Sequence, residues 1–70
     1  MADMTFKEKL RARLIEERHD VVTYEALARE AEERGCHRAA HFIRIIAEEE
    51  KTHAQFFDEY LKGYEDGGER

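Results

Sequence analysis

The sequence predicts an all-α protein: an antiparallel two-helix hairpin that pairs with a second copy into a four-helix bundle. Three observations lead there. Proline is absent and three of the four glycines (Gly63, Gly67, Gly68) lie near the C-terminus, so two long stretches run without a helix breaker. Apolar residues recur in both stretches at alternating spacings of three and four, the period of a packed helix. Seventy residues also make a domain that has trouble burying enough surface to be stable alone, and chains of this size usually need a disulfide, a metal or a partner chain. With Cys36 as the only cysteine, a disulfide within the chain is excluded, and a metal and a partner remain.

Taken in order, residues 1–4 read as a flexible N-terminus. Thr5 is a helix N-cap with Glu8 three residues on, the spacing of a capping box. Helix 1 then spans about 5–34, with no interruption before Gly35. Gly35 takes a left-handed turn at low cost and ends it. Helix 2 spans about 37–62, with Gly63 as its expected stop, and residues 63–70 read as a flexible tail. Two such helices bury one stripe each and leave a side open, which is why hairpins of this kind pair into bundles.

The stripe of helix 1 is Leu10, Leu14, Glu17, Val21, Tyr24, Ala28 and Ala31, with Phe6 four residues before it. That of helix 2 is Ala39, Ile43, Ile46, Glu50, His53, Phe57, Tyr60 and Tyr64. Further apolar residues flank both stripes, so each buried face is wide, as in a bundle. Glu17, Glu50 and His53 interrupt otherwise apolar rows. Folded about Gly35, the three arrive at one height of the hairpin, because Glu17 precedes the turn by as many residues as His53 follows it. Three ionisable groups at one level of an apolar face are expensive to bury without compensation. A divalent metal supplies it.

Glu50-x-x-His53 sets a carboxylate and an imidazole one turn apart on one helix face, and Glu17 adds a carboxylate from the facing helix. A two-fold dimer doubles this to four glutamates and two histidines. Four carboxylates balance two divalent ions, and oxygen donors with one imidazole per ion suit iron or manganese, with zinc possible. This is the donor set of di-iron carboxylate bundles. Glu49, at i,i+4 to His53, and Glu48 are alternatives to Glu50 if the register is shifted, although the stripe favours Glu50.

Composition excludes other classes. The net charge is −5, with both signs interspersed, which argues against a nucleic-acid binder. No apolar run approaches the length that spans a membrane. The lone thiol and the absence of a signal-peptide pattern point to a reducing cytoplasm. His37 and His41, at i,i+4 beside Cys36, read first as decoration of the start of helix 2 and only second as a soft metal site. Glu16, Asp20 and His19 read as solvated, and Tyr60 and Tyr64 as core or interface residues.

Residues 16–57, "EERHDVVTYEALAREAEERGCHRAAHFIRIIAEEEKTHAQFF", resemble one helix pair of the rubrerythrins, within the ferritin-like superfamily. Glu17, Tyr24 seven residues later and Gly35 eleven after that follow the family's rhythm. "AEEEKTHAQFF" resembles its "AE-x-E-x-x-HA-x-x-F" signature. The resemblance implies a two-helix half-ferritin form, a homodimer or higher homo-oligomer holding two iron ions per dimer. It implies Glu17, Glu50 and His53 as metal ligands, and Tyr24 as a buried tyrosine near the carboxylates, placed to hydrogen-bond one of them. The implied activity is oxidation of ferrous iron by dioxygen or peroxide, or reduction of peroxide at the di-iron centre. A rubredoxin-like module needs four cysteines, so a peroxidase of this kind would draw on an external electron donor. The competing reading is a non-enzymatic helical assembly module whose Glu/His layer only specifies pairing.

Overall fold

The computed structural model describes residues 4–67, with side chains through residue 63. It contains two helices, α1 (Phe6–Glu33) and α2 (His37–Gly67). Thr5 caps α1 with the expected box: its hydroxyl accepts from the Glu8 N–H at 3.1 Å, and Glu8 Oε1 accepts from the Thr5 N–H at 2.9 Å. Donors that the first turn leaves orphaned are thereby satisfied.

At the other end of α1, Gly35 adopts φ +76°, a region that side chains disfavour. Its N–H donates to the Glu32 carbonyl, and the Cys36 N–H donates to the Ala31 carbonyl at 2.8 Å. These are the two reverse bonds of a Schellman turn. The Cys36 carbonyl then accepts from Ala40 N–H and starts α2. The chain therefore reverses in a connection of only three residues, Arg34–Cys36.

Gly63 does not stop α2, which continues to Gly67. A helical glycine costs only about 1 kcal/mol relative to alanine, and no proline follows to enforce an end. A Cβ built on Gly63 would meet no atom within 4 Å, so no close approach demands a glycine there. The flexible N-terminus expected at 1–4 and the tail expected at 63–70 fall largely outside the described residues, as does the side chain of Tyr64.

Between the helices, α1 packs with the predicted stripe. Leu14, Glu17, Ala28 and Ala31 are buried, and Leu10, Val21 and Tyr24 are half-buried. On α2 the seam is turned by about one residue from the predicted row. Ala40, Ala47, Ala54 and Leu61 are buried, with Ile43, Glu50 and Phe57 half-buried beside them, whereas Ala39, Ile46, His53 and Tyr60 are exposed. Small residues at every seventh position let two helix backbones approach closely. The large apolar side chains that drew the predicted row sit instead on the flank beside this alanine seam, and among the described residues no large side chain is fully buried.

That seam is tightly spaced, so enlarging it is costly. Ala47→Leu is expected to lower stability by about 1–3 kcal/mol through overpacking. The check is thermal melting, where each kcal/mol corresponds to a drop of about 4–8 °C for a domain of this size.

The two flanks of the seam differ. On one, cross-helix ion pairs recur every seventh residue: Arg18–Asp58 at 3.4 Å, Glu25–Lys51 at 3.0 Å and Glu32–Arg44 at 3.0 Å. Exposed pairs of this kind add little stability singly, but they suit a water-facing edge and fix the antiparallel register. On the other flank lie Phe6, Leu27, Phe42, Ile46, Phe56 and Tyr60, each at least 38% exposed. With principal extents of 49 × 27 × 11 Å, the hairpin is a single layer, where domains normally close a core between two.

Candidate metal centre

Glu17 comes from the middle of α1, and Glu50 and His53 come from adjacent turns of α2. The hairpin register brings all three level. One donor atom from each lies within 4.8 Å of the others, and this is the one group of three or more such residues among the described residues that can hold a metal ion. His53 Nδ1 is 3.5 Å from Glu50 Oε1 and 3.8 Å from Glu17 Oε2. A divalent ion bonded at about 2.1 Å holds neighbouring donors about 3–4 Å apart, the size of the two separations from His53.

Burial is graded across the group. Glu17 is buried at 6% exposure, the Glu50 side chain is 17% exposed, and the His53 side chain is 52% exposed on the uncovered flank. Glu17 Oε2 is buried and has no hydrogen-bond partner. A buried carboxyl oxygen in that condition is a standing cost unless a donor or a cation meets it. It faces the other two residues of the group.

Arg13 meets the other Glu17 oxygen, donating from Nη2 to Oε1 at 2.8 Å, and its Nη1 reaches Glu16 Oε2. Sequence reasoning missed Arg13. Its spacing four residues before Glu17 on one helix face was the available signal.

The carboxyl of Glu50 is held above its ordinary range. The Glu17 carboxylate beside it is the main cause, burial adds to it, and His53 pulls the other way. The folded state therefore keeps a proton on Glu50 at pH values where the unfolded chain has released it. Stability contributed at low pH is lost as pH rises through the ordinary glutamate range towards the raised folded value. Metal-free Glu50→Gln is expected to melt above wild type near neutral pH. The difference should vanish below the glutamate range, as melting curves across pH would record.

A groove of about 640 Å³ runs from this group along the apolar flank, lined by Phe6, Leu10, Glu17, His53, Phe56, Phe57 and Tyr60. Tyr24 is half-buried one heptad beyond Glu17. It makes no hydrogen bond among the described residues, so the bond to a carboxylate that the resemblance implied is absent from the single chain. The sequence profile described as Rubrerythrin matches residues 8–69.

The chain belongs to the rubrerythrin family. The rubrerythrin match spans both helices and takes in all three donors, with Tyr24 and Gly35 between them. No curated protein and no solved structure matches the chain.

The remaining candidates do not join the rubrerythrin-like group. His37 Nδ1 lies 2.8 Å from Glu32 Oε2, which Arg44 also holds. His41 packs at a tilt against Phe42, and Cys36 is exposed. Glu48 accepts from Lys51 at 3.2 Å, and Glu49 is exposed. Within the described residues, no helix is long and apolar enough to cross a membrane.

Proposed function

We propose that this chain is half of a di-iron carboxylate centre, completed when a second copy covers the apolar flank. The observation that carries the reading is the buried, unpartnered Glu17 Oε2 facing Glu50 and His53. Three donors make an incomplete site. The uncovered flank beside them supports a second set arriving from another copy, to give four glutamates and two histidines around two ions.

The exposed apolar side chains beside the group support the pairing, since a face of this kind needs a cover. The choice of face follows from the flanks, since one is crossed by ion pairs with Ile15 exposed beside them, and the other carries the larger apolar row.

In such a pair, Glu17, Glu50 and His53 of each copy would hold the metal. Iron bound there supplies one electron per ferrous ion to dioxygen or a peroxide. The groove residues Phe6, Phe56 and Tyr60 exclude water from the donors once covered, and Arg13 and Glu50 hold charge and proton at the carboxylates. The function is oxidation of ferrous iron or reduction of peroxide, with an external electron donor in the second case. An exposed single thiol suits a reducing cytoplasm.

The test is an anaerobic ferrous titration of metal-free protein, followed by air. The reading expects saturation near one iron per chain, and ferric absorption after oxidation. Absence of saturable uptake would leave the non-enzymatic assembly module, with Glu17, Glu50 and His53 as a polar layer that specifies pairing.

A further inference from the structure

The uncovered face is matched about its own middle. On α1 its row is Phe6, Arg13, Asp20 and Leu27, at steps of seven, with Asp20 half-buried and the others exposed. On α2 the row is Ala39, Ile46, His53 and Tyr60, all exposed. The first row has its midpoint between Glu16 and Glu17, the second between Glu49 and Glu50. Glu17 and Glu50 meet in the donor group, so both rows are centred on it. The α1 row is apolar at its two ends and carries one cation and one anion at equal distances from its midpoint.

Neither charge is fully satisfied within the chain. Arg13 gives Nη2 to Glu17 Oε1 and Nη1 to Glu16 Oε2, and a guanidinium with five N–H donors has more to give. Among the described residues no cation of its own chain pairs with Asp20, and its charge adds to that of Glu17 at Glu50. Covering such a carboxylate without a cation is costly.

We propose that two copies pair about a two-fold axis crossing the helices at the donor group, so that α1 lies against the partner's α1 in the opposite direction and Arg13 meets the partner's Asp20. This rests on the shared-centre reading above and adds the mode of pairing to it. In a two-fold contact each meeting occurs twice, with the roles exchanged. Phe6 then meets the partner's Leu27, Ala39 meets the partner's Tyr60, and Ile46 lies over the partner's His53. An axis along the helices would set α1 on the partner's α2 instead, whose row of Ala39, Ile46, His53 and Tyr60 offers Arg13 no acid.

The test uses two charge-reversed chains, Arg13→Glu and Asp20→Arg, studied by native mass spectrometry and sedimentation equilibrium with excess manganous ion. In either chain alone, like charges meet at both contacts, which is expected to weaken self-association by about a hundredfold. Mixed in equal amounts, the two chains set opposite charges together at both contacts. The mixed pair is expected to form with wild-type affinity to within about tenfold. Wild-type self-association by both reversed chains, or a mixture no stronger than its components, would overturn this mode of pairing and leave a shared centre standing. A wild-type chain that stays single with and without manganous ion would overturn both.

A second chain keeps the question open to measurement if a reversed chain folds poorly. Phe6→Cys and Leu27→Cys, with Cys36→Ser, change only exposed positions. The two sites lie about 30 Å apart on one helix, so a disulfide between them joins only separate copies. Mild oxidation is expected to link this chain into pairs much faster than either chain with one of the two cysteines. Equal rates would again overturn the mode of pairing.

Discussion

Glu17→Gln is expected to keep the hairpin folded and to erase the stabilisation that a divalent metal confers. The substitution preserves the shape of the side chain and removes its charge. In the metal-free protein it relieves a buried oxygen that has no partner, so the melting temperature should hold or rise. In wild type, an ion that binds only the folded state at one hundred times its dissociation constant adds about 2.7 kcal/mol. For a chain of this length that is a rise of roughly 10–20 °C. The measurement is melting with and without excess manganous ion, at fixed protein concentration. Glu49→Gln serves as the control, since Glu49 is exposed and lies one residue from Glu50. Equal metal-induced shifts in wild type and Glu17→Gln would put the ion elsewhere.

A second large effect is expected from the uncovered flank. Phe56 is 64% exposed and lines the groove that ends at Glu17 and His53. In a two-fold pair each contact occurs twice, so Phe56→Ser removes two buried rings. At about 1.5–3 kcal/mol per ring, the pair loses about 3–6 kcal/mol. That is roughly two to four powers of ten in the dissociation constant of the proposed dimer. Sedimentation equilibrium over a concentration series measures it. Ile15 is equally exposed, at 62%, but lies towards the ion-pair edge with Arg18, so Ile15→Ser should leave association unchanged. If Ile15→Ser dissociates the protein and Phe56→Ser does not, the other flank is the interface.

Most of the hairpin was legible because its signals are local. Thr5 and Glu8 form a cap from neighbours three residues apart, and Gly35 reverses the chain by its own backbone freedom. With the turn located and nothing breaking either helix, the height at which Glu17 meets Glu50 and His53 follows from counting. Gly63 was misread because a glycine is a weak helix breaker, and its cost is visible only against the rest of the helix.

The side of α2 that packs was not legible. Alanine contributes little to an apolar pattern, so Phe42, Ile46 and Tyr60 outweigh Ala40, Ala47 and Ala54 in any count along the sequence. In three dimensions the balance reverses, because small side chains let the backbones close while the large ones stand aside. The turn of about one residue carries His53 out of the seam to its edge and leaves Glu17 and Glu50 inside. Arg13 was invisible for a different reason. Several arginines and lysines stand three or four residues from a glutamate in this chain, and spacing alone does not single out the one that holds a buried oxygen.

The sequence by itself determined two helices, the turn between them, and which three donors share a level, since each depends on residues close along the chain or on counting from Gly35. Only the tertiary structure decided which face of α2 meets α1, which oxygen of Glu17 is left bare, and which flank remains uncovered. Those depend on how closely two backbones approach, and that distance is set by all the side chains of the seam together.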